Sequence, residues 1–448
     1  MDERLDSHST PGAPPDPRRR TLLRGALGAG LGTPWAALSL AGTGATASGA
    51  GRLIFVILRG GMDGLGAVPA LGDPDFAAAR GALGQFGSPP LALDAMFALH
   101  PSLPQLHTMY TAGELMVVHA VGLVYRERSH FDAQQVLESG GEKPYQLGTG
   151  WLARALLASA PGASALALNT SVPLLLRGAA NVDTWAPSTL PEPSADLVAR
   201  LERLYAGDAA LQAALARAKA LHVDAALGGG MQAAATTGAT AGATTGTIPG
   251  AIPGAIPGAM AGPSAASSPG MAAPPRIAQF GQLASRCAEF IAGANAPRAA
   301  VLELGGWDTH VNQASPNGAL ATNLRVLDAG LAALRAGLVA SGLWKQCVVI
   351  VASEFGREVA INGTQGSDHG SGGAAFVLGG AVRGRRVLAD WPGLNKTSRF
   401  EGRDLRTTTD LRAVLKGALR EQWGLSPARL DDEVFPGSAG VGAVSLLG

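Results

Sequence analysis

Four runs of apolar, β-prone residues constrain the fold of this 448-residue chain more than any other sequence feature. Each run is continuous rather than alternating, which is typical of strands buried on both faces of a parallel sheet. The runs are Leu53–Leu58, Leu115–Val121, Ala299–Leu304 and Gln346–Ala352. Helix-like segments follow the second and third runs, at Phe131–Ser139 and Ala319–Leu338. This alternation predicts an α/β fold built on a parallel sheet.

The first 47 residues have the pattern of a twin-arginine export signal. The basic run Arg18–Arg24 precedes an uncharged segment rich in Ala, Gly and Leu, and Ala45–Ala47 offers a small-x-small cleavage site. The segment contains too much Gly, Ala and Thr to favour a membrane-spanning helix. We therefore expect folding before export by the twin-arginine translocase, and a periplasmic or extracellular protein. A disordered basic tail or an uncleaved anchor is the alternative.

The chain after this signal carries no formal net charge. Residues 1–47 contain five of the 35 Lys and Arg residues and four of the 34 Asp and Glu residues, which leaves 30 of each sign. No basic run interleaved with aromatic residues follows the signal, so nucleic acid is not an expected partner. The two cysteines, Cys287 and Cys347, are too few for a disulfide framework or a Cys-rich metal site, and we expect buried thiols.

Residues 226–275 form a low-complexity segment of Ala, Gly, Thr, Pro and Met. The tetrapeptide Ile-Pro-Gly-Ala starts at Ile248, Ile252 and Ile256. Such a composition cannot bury a core and has neither a helical nor a strand period. We therefore predict one domain over 51–448 that is interrupted by a disordered surface insertion. A Pro-rich strip that binds another protein is the alternative.

Acidic and imidazole side chains follow the apolar runs at their carboxyl ends, where open parallel sheets bind ligands. These residues are Asp63, Asp308, His310 and Glu354; Asp368 and His369 precede a further apolar run, Ala374–Leu378. Carboxylates and imidazoles without thiolates suit one or two divalent ions, either zinc or, given the excess of carboxylates, manganese, magnesium or calcium. Turn-capping acids and loop histidines are the ordinary alternatives.

Five sequence blocks resemble those of a known family. In chain order they are "FVILRGGMDGL", "RSHFDAQ", "GGWDTH", "SEFGRE" and "DHGSGG". They resemble the twin-arginine-exported family catalogued as domain of unknown function fifteen-oh-one, and they extend from Leu53 to a helix near Leu419, apart from the insertion. The resemblance implies a three-layer α/β/α fold of the alkaline phosphatase and sulfatase superfamily. Such a fold has a mixed, mainly parallel central sheet and a metal site at the strand ends.

The resemblance also implies roles for residues in the first three blocks. Asp63 matches the first acid of the superfamily's metal site. Ser129 matches the nucleophile that opens a helix, where backbone N–H groups stabilise an oxyanion, although it could equally be the N-cap of that helix. Asp308 and His310 match an Asp and His pair, with one residue between them where the superfamily usually has three.

The last two blocks depart further from the superfamily's pattern. Glu354 matches the fourth element by position, as a ligand, and His369, with Asp368, matches the final one. Phe355 stands where the superfamily has an imidazole, which puts a two-zinc site in doubt. His130 could replace that ligand, and a single metal or a harder one then becomes the more plausible cofactor.

Arginines flank these clusters and could hold a phosphate or sulfate group through bidentate hydrogen bonds. Arg126 and Arg357 are candidate oxyanion-binding residues, and Arg128 is a candidate catalytic residue beside Ser129; Arg59 has the same position after its strand. A surface ion pair is the ordinary alternative for each.

These features lead to one main functional hypothesis and two alternatives. The main one is an exported metal-dependent hydrolase of phosphate or sulfate esters, acting on a small molecule or an envelope glycan, with Ser129 as the nucleophile. The first alternative is a non-catalytic, metal-stabilised binding protein of the cell envelope. The second is a cytoplasmic α/β protein whose acids belong to turns. His100 and His119 are interpreted as structural histidines in every case.

Overall fold

The computed structural model describes residues 51–187, 193–219 and 276–448. The predicted export signal at 1–47 and the predicted insertion at 226–275 lie outside the described residues. Both therefore remain predictions, as does the extent of the domain.

In the part of the chain that the structure describes, nine strands form one sheet with the order β10-β4-β9-β8-β1-β7-β5-β6, and β11 also pairs with β4. The strands are β1 (Arg52–Arg59), β4 (Leu115–Gly122), β5 (Ser164–Ala167), β6 (Asn181–Thr184), β7 (Ala299–Gly305), β8 (Cys347–Ser353), β9 (Gly373–Leu378), β10 (Arg386–Leu388) and β11 (Thr409–Asp410). Strands β2 (Leu91–Ala92) and β3 (Ala98–Leu99) form a separate antiparallel pair. All pairs in the large sheet are parallel except those of β9 with β4 and β8.

Helices cover both faces of this sheet. They are α1 (Gly64–Ala67), α2 (Phe76–Arg80), α3 (Pro104–Thr111), α4 (His130–Ser139), α5 (Trp151–Ser159), α6 (Ala195–Leu204), α7 (209–219), α8 (Arg276–Ala292), α9 (Ala319–Ala340), α10 (Leu411–Trp423) and α11 (Pro427–Arg429). Alternate residues of β1 enter two separate cores. Ile54, Val56 and Leu58 pack with α3, α8 and α9, whereas Leu53, Phe55 and Ile57 pack with α4, α5 and α10.

This arrangement confirms the predicted three-layer α/β/α class with a mixed, mainly parallel sheet. All four predicted strands are present, and each is buried on both faces, which explains the continuous apolar runs. The two predicted helices are present as α4 and α9. Cys287 and Cys347 are buried free thiols, as expected. No described helix has the length and apolarity that crossing a membrane requires.

The register of the central strands brings their carboxyl ends together. On β1, Arg59 pairs with Gly305 of β7, and Leu58 pairs with Ser353 of β8. The polar segments that follow these three strands therefore begin side by side at one edge of the sheet. Because β9 runs antiparallel to β8, the residues that precede β9 lie at the same edge.

Candidate metal centre

Three imidazoles and one carboxylate converge at this edge of the sheet. The Nε2 atom of His369 lies 3.0 Å from Nε2 of His130 and 3.0 Å from Nε2 of His310. Oxygens of the Asp308 carboxylate lie 2.9 Å from His310 Nε2, 3.1 Å from His369 Nε2 and 3.4 Å from His130 Nε2. His130, Asp308 and His369 each offer a ligand atom within 4.8 Å of the other two. We call these four residues the His/Asp cluster.

The sheet assembles the His/Asp cluster from three distant segments. His130 is the first residue of α4, which follows β4. Asp308 and His310 lie on the loop between β7 and α9, and His369 lies on the loop between β8 and β9. An isolated antiparallel bridge between Arg357 and His369 fixes this last loop against the segment that leaves β8.

Hydrogen bonds to carboxylates orient two of the imidazoles. His130 Nδ1 lies 2.8 Å from Glu354 Oε1, and His310 Nδ1 lies 2.8 Å from Asp368 Oδ1. An ionised carboxylate only accepts hydrogen bonds, so Nδ1 carries the proton in each ring. A neutral ring then presents its lone pair at Nε2, toward the His/Asp cluster.

A backbone carbonyl orients the third imidazole. His369 Nδ1 donates to the carbonyl oxygen of Arg128 at 2.9 Å. Arg128 has a φ of 61°, which is the left-handed region that residues other than Gly rarely adopt. This turn immediately before α4 directs the carbonyl group toward His369, and strained backbone of this kind is concentrated at functional sites.

The donor set fits one divalent cation. Neutral Nε2 lone pairs that face one another at 3.0 Å repel unless a proton or a metal cation lies between them. Imidazole nitrogens combined with one carboxylate suit zinc and related transition metals, whereas calcium and magnesium favour oxygen ligands. Acceptors at the outer ring nitrogens are the usual environment of metal-binding histidines.

Two histidines of the His/Asp cluster have opposite pKa shifts. The hydrogen bond with Glu354 is the main cause of a raised pKa at His130. Burial, followed by the charge of His130, lowers the pKa of His369. His369 therefore stays neutral near pH 7, which is the state that binds a metal.

Glu354, which we predicted as a ligand, lies behind His130 and hydrogen-bonds its Nδ1 atom. Its side chain is fully buried, and Oε1 also accepts hydrogen bonds from the backbone N–H of Gly60 at 2.8 Å and from Gln134 Nε2 at 3.3 Å. Burial opposes ionisation of Glu354, but the hydrogen bonds from His130, Gly60 and Gln134 hold its pKa below the ordinary value. The group is thus an anion that orients His130.

Asp368, which we also predicted as a ligand, contacts His310 from outside the His/Asp cluster. Asn362 donates to Asp368 Oδ1 at 3.1 Å and to the carbonyl of His310 at 2.9 Å. The pKa of Asp368 is lowered, first by the hydrogen bond from Asn362 and then by that with His310. Asp368 and Asn362 together fix both the ring and the backbone of His310.

Arg357 positions Asp308 and does not face solvent, contrary to its predicted role as an oxyanion-binding residue. Its guanidinium is 1% exposed and donates to Asp308 Oδ1 at 2.6 Å and to Ser367 Oγ at 3.3 Å. Burial tends to raise the pKa of Asp308, but the Arg357 hydrogen bond and charge lower it below the ordinary value. The carboxylate therefore stays ionised beside the imidazoles.

Asp63 lies outside the His/Asp cluster, contrary to its predicted role as a ligand. Its carboxylate caps α1 by accepting from the backbone N–H of Gly66 at 3.0 Å. The other oxygen accepts from Arg80 and Gln313, and all three side chains are buried. The position that we predicted for a metal cation beside Asp63 is therefore taken by the guanidinium of Arg80.

Ser129 is the N-cap of α4, as the ordinary alternative for this residue stated. Its hydroxyl accepts from the backbone N–H of Asp132 at 3.5 Å. It precedes His130 directly, so it remains adjacent to the His/Asp cluster in the chain. Among the described residues, no hydrogen bond joins its hydroxyl to Arg126 or Arg357.

The remaining arginines have internal partners. Arg128 Nε donates to Asp404 Oδ2 at 2.8 Å, and Arg126 donates to Thr407 Oγ1 at 2.9 Å. Arg59 Nε donates to Glu303 Oε2 at 2.7 Å. Arg59 and Arg128 thus form ion pairs, which was the ordinary alternative, whereas Arg126 makes hydrogen bonds and no ion pair among the described residues.

Phe355 packs against two imidazoles of the His/Asp cluster. Its ring centroid lies 4.7 Å from that of His130 and 5.1 Å from that of His369. Gly61 makes room for this ring, because a Cβ atom at Gly61 would lie 2.5 Å from it. Phe355, at the position where the superfamily has an imidazole, thus forms an apolar wall of the His/Asp cluster.

Sequence reasoning missed several residues that support the His/Asp cluster. Asn362 and Gln313 have uncharged amide side chains in loops, so no charge in the sequence marks them as site residues. Both nevertheless lie between the sequence blocks that contain the predicted ligands. Arg403 donates to the carbonyl of His369 at 2.8 Å and pairs with Glu358 at 2.8 Å. Arg403 comes from a segment more than thirty positions after His369, so proximity in sequence could not reveal it.

The fold and the His/Asp cluster define an α/β protein with a candidate metal centre at the carboxyl edge of its sheet. The sequence profile described as "Protein of unknown function (DUF1501)" matches residues 50–430, and the chain belongs to this family. Among curated proteins, none is similar enough in sequence to count as a match.

Solved structures give distant similarities. Ps i-CgsB in complex with k-i-k-neocarrahexaose has 10% identity and a TM-score of 0.38, over 85% of this chain and 74% of that chain. The lipoteichoic acid synthase LtaP from Listeria monocytogenes has 10% identity and a TM-score of 0.38, over 87% and 76%. Murine ectonucleotide pyrophosphatase / phosphodiesterase 5 has 10% identity and a TM-score of 0.28, over 68% and 57%. At this distance, function has to be inferred from the site itself.

Proposed function

We propose that this protein is a metal-dependent hydrolase whose active site is the His/Asp cluster. The convergence of three oriented Nε2 atoms on the Asp308 carboxylate, at 2.9, 3.1 and 3.4 Å, is the observation that carries the proposal. A bound divalent ion would supply a Lewis acid and would lower the pKa of a nearby water or hydroxyl. The proposed ion is zinc or a related transition metal, one per chain.

Exposure of the His/Asp cluster favours catalysis over a purely structural metal. The side chains of Asp308 and His310 are 44% and 39% exposed, so a ligand can approach them. Structural metal sites are closed by protein ligands, whereas catalytic sites keep an open position. Glu354, Asp368 and the Arg128 carbonyl orient the rings, so little reorganisation is needed when a ligand arrives.

The finer proposal is hydrolysis of a phosphate or sulfate ester, from a small molecule or an envelope glycan, with Ser129 as the nucleophile. Ser129 directly precedes His130, and the hydrogen bond from the Asp132 N–H holds its hydroxyl at the start of α4. N–H groups at a helix start stabilise developing negative charge. In this step the hydroxyl oxygen would bond to phosphorus or sulfur, the bond to the ester oxygen would break, and the hydroxyl proton would pass to that oxygen, which leaves as the alcohol. Water would then cleave the ester on Ser129, which releases phosphate or sulfate and restores the hydroxyl.

The test compares metal content and hydrolysis in matched variants. His369→Ala and Asp308→Asn remove donors, and His107→Ala is the control because His107 is half-buried, hydrogen-bonds the carbonyl of Ala92 and belongs to α3, outside the His/Asp cluster. We expect about one equivalent of metal in the wild type and control. We also expect losses of at least about 100-fold in hydrolysis of 4-nitrophenyl phosphate or sulfate in the other two variants. Equal metal content and activity in all four proteins would refute the proposal.

The role of Ser129 has its own test. Ser129→Ala removes the hydroxyl and weakens the cap of α4 by about 1 kcal/mol, so the variant should still fold. We expect metal content to persist and hydrolysis to disappear. Activity equal to that of the wild type would exclude Ser129 as the nucleophile while leaving the metal centre intact.

A non-catalytic, metal-stabilised binding protein is the second candidate. The internal partners of Arg128 and Arg357 favour it, because both guanidinium groups already pair with carboxylates, those of Asp404 and Asp308. Arg126 hydrogen-bonds Thr407 Oγ1 and has no acidic partner within 4.0 Å among the described residues. Metal retention without hydrolysis of any ester in a broad panel would support this candidate over the hydrolase.

We also propose that the protein is exported by the twin-arginine translocase, which would be its partner during export. The proposal rests on the basic run Arg18–Arg24 and the segment after it. Replacing Arg19 and Arg20 by Lys should retain the protein in the cytoplasm, as measured by cell fractionation. Unchanged export of this variant would contradict the proposed route.

A further inference from the structure

A polar cavity of about 370 Å³ lies beside the loop that carries His310. Pro316 and Asn317 of this loop form one wall, and α9 forms another through Arg325 and Asp328. The remaining polar lining comes from Ser88, His100 and Ser102. No residue of the His/Asp cluster is among the lining residues, so the cavity is a separate site.

Arg325 is the cation of this cavity and has no acidic partner. Among residues 51–187, 193–219 and 276–448, no carboxylate lies within 4.0 Å of its guanidinium. Its hydrogen bond is to Thr322 Oγ1 on its own helix, at 3.1 Å. The side chain is half-buried, so part of its charge is removed from water without compensation by an anion.

The nearest acid in the lining is engaged elsewhere. Asp328 is 5% exposed, and its two carboxylate oxygens accept from the backbone N–H groups of Leu106 at 2.9 Å and Gln105 at 3.1 Å. These donors belong to the first turn of α3, whose N-terminal dipole stabilises the negative charge. Asp328 therefore neutralises a helix end and leaves Arg325 unpaired.

His100 supplies a second donor to the same cavity. Its Nδ1 atom accepts from the backbone N–H of Ser102 at 3.0 Å, so the proton of the neutral ring is on Nε2. No partner for this Nε2–H lies within hydrogen-bond distance in the described parts of the chain. Arg325 and His100 line the same cavity. Burial, followed by the charge of Arg325, lowers the pKa of His100 to about 4, so the ring is neutral at pH 7.

We propose that this cavity binds an oxyanion group of a ligand, a carboxylate, sulfate or phosphate, between the guanidinium of Arg325 and the Nε2–H of His100. The hydroxyls of Ser88 and Ser102 are further donors in the lining. A planar guanidinium with a second N–H donor is well suited to such a group, and an arginine is the usual residue for it. This site does not depend on the proposed metal centre.

The test measures the thermal midpoint of the full-length, metal-free protein in sodium sulfate, phosphate or acetate against sodium chloride of equal ionic strength. We expect a saturable rise of about 3 °C at ten times the dissociation constant for at least one oxyanion. The rise should be absent in Arg325→Gln and reduced in His100→Gln. Arg335→Gln on the same helix is the control, because Arg335 already pairs with Glu114.

A separate arm distinguishes this cavity from the His/Asp cluster. A rise that persists in His369→Ala but is absent in Arg325→Gln supports the cavity, whatever the activity of the enzyme. The reverse pattern, or equal rises in the wild type and Arg325→Gln, overturns the proposal. Equilibrium dialysis with the radiolabelled form of the oxyanion that raises the thermal midpoint gives the stoichiometry directly, and less than about 0.2 equivalents bound at ten times the apparent dissociation constant would likewise overturn it.

Discussion

At the scale of single residues, the carboxylate of Asp308 contacts both a buried arginine and an imidazole of the His/Asp cluster. It accepts from Arg357 at 2.6 Å while lying 2.9 Å from His310 Nε2. The guanidinium compensates the charge on one side, so the carboxylate can remain ionised in a partly buried position. A metal on the other side would share the same oxygen or the second one. Asp308 thus connects the buried guanidinium of Arg357 to the imidazoles of the candidate metal site.

Glu354→Gln tests how far a supporting residue controls the metal. The amide keeps the size of Glu354 but removes the anion that accepts from His130 Nδ1 at 2.8 Å. We expect metal affinity to fall by about 10- to 100-fold with the secondary structure unchanged. Competition titration against a chromophoric chelator measures the affinity. Asp183→Asn, in an exposed ion pair with Arg217, is the control, and equal affinities in the two variants would contradict this role of Glu354.

Gln313→Leu tests the buried polar network beneath the His/Asp cluster. Gln313 is 4% exposed, donates to Asp63 and accepts from Thr309 Oγ1 at 2.7 Å and from Ser367 Oγ at 2.6 Å. Removing its amide leaves the buried hydroxyls of Thr309 and Ser367 without this acceptor and Asp63 with one donor fewer, so the free energy of unfolding should fall by about 2–4 kcal/mol.

Chemical denaturation of the metal-free protein provides this measurement. Gln105→Leu, at an exposed position of α3, is the matched control and should change the free energy of unfolding by no more than about 0.5 kcal/mol. A Gln313→Leu protein as stable as this control would show that the network contributes little.

The residue types of the site could be predicted from the sequence, but the roles of individual residues could not. Asp308, His310 and His369 were predicted as ligands, and the structure places them together. Glu354 and Asp63 have the same chemistry and the same position after a strand, yet each contacts another protein group. Which acid faces a site depends on partners such as Arg80, whose contact with Asp63 is set by tertiary packing.

At the scale of elements, the turn after β1 determines how closely the strand ends approach. Gly60 has a φ of +122°, and a Cβ atom there would lie 2.5 Å from the backbone nitrogen of Asp308. The backbone N–H of Gly60 also donates to Glu354 at 2.8 Å. One glycine therefore sets the spacing between the loops after β1, β7 and β8.

Gly60→Ala should disrupt the metal site as well as the turn. The added methyl group forces the backbone of Asp308 to move, so we expect loss of bound metal and a fall in the free energy of unfolding of at least about 2–3 kcal/mol. Gly113→Ala is the matched control, because Gly113 also has a positive φ, +78°, but open space around its Cβ position.

The control variant should lose about 1–2 kcal/mol and keep its metal. Elemental analysis and urea denaturation of both proteins are the measurements. Retention of a full equivalent of metal by Gly60→Ala would show that the two loops can separate without harm to the site.

Strands were predictable where burial on two faces leaves a continuous apolar pattern, as in β1, β4, β7 and β8. The short strands β5 and β6 were not predicted, because four residues give too little pattern. The apolar run at Ala374–Leu378 was recognised, but its antiparallel direction in β9 was not. Direction depends on the path of the chain between β8 and β9, and no local pattern specifies that path.

At the scale of the whole molecule, a buried histidine links stability to pH. His119 is fully buried, stacks on Phe97 with ring centroids 5.2 Å apart, and contacts the carbonyl of Val68 at 2.9 Å. Burial lowers its pKa from 6.5 to about 4. The unfolded chain therefore binds a proton as the pH falls below 6.5, whereas the folded protein does not until about pH 4.

This difference predicts that the stability contributed by neutral His119 is complete above pH 6.5 and is lost as the pH falls toward 4. The loss between pH 7 and pH 5 should be about 2 kcal/mol. Urea denaturation of metal-free wild type and His119→Gln at both values isolates this effect, because all other titrating groups are shared. Equal losses in the two proteins would contradict the assignment.

The long separation between the donors of the His/Asp cluster has a consequence for biosynthesis. His130 and His369 are 239 positions apart, and His369 is followed by β9, which completes the centre of the sheet. Most of the chain must therefore be synthesised before the last imidazole can join the others. If the proposed metal binds at this cluster, only a fully synthesised and correctly packed chain would retain it, which suits a protein whose proposed translocase accepts only folded cargo.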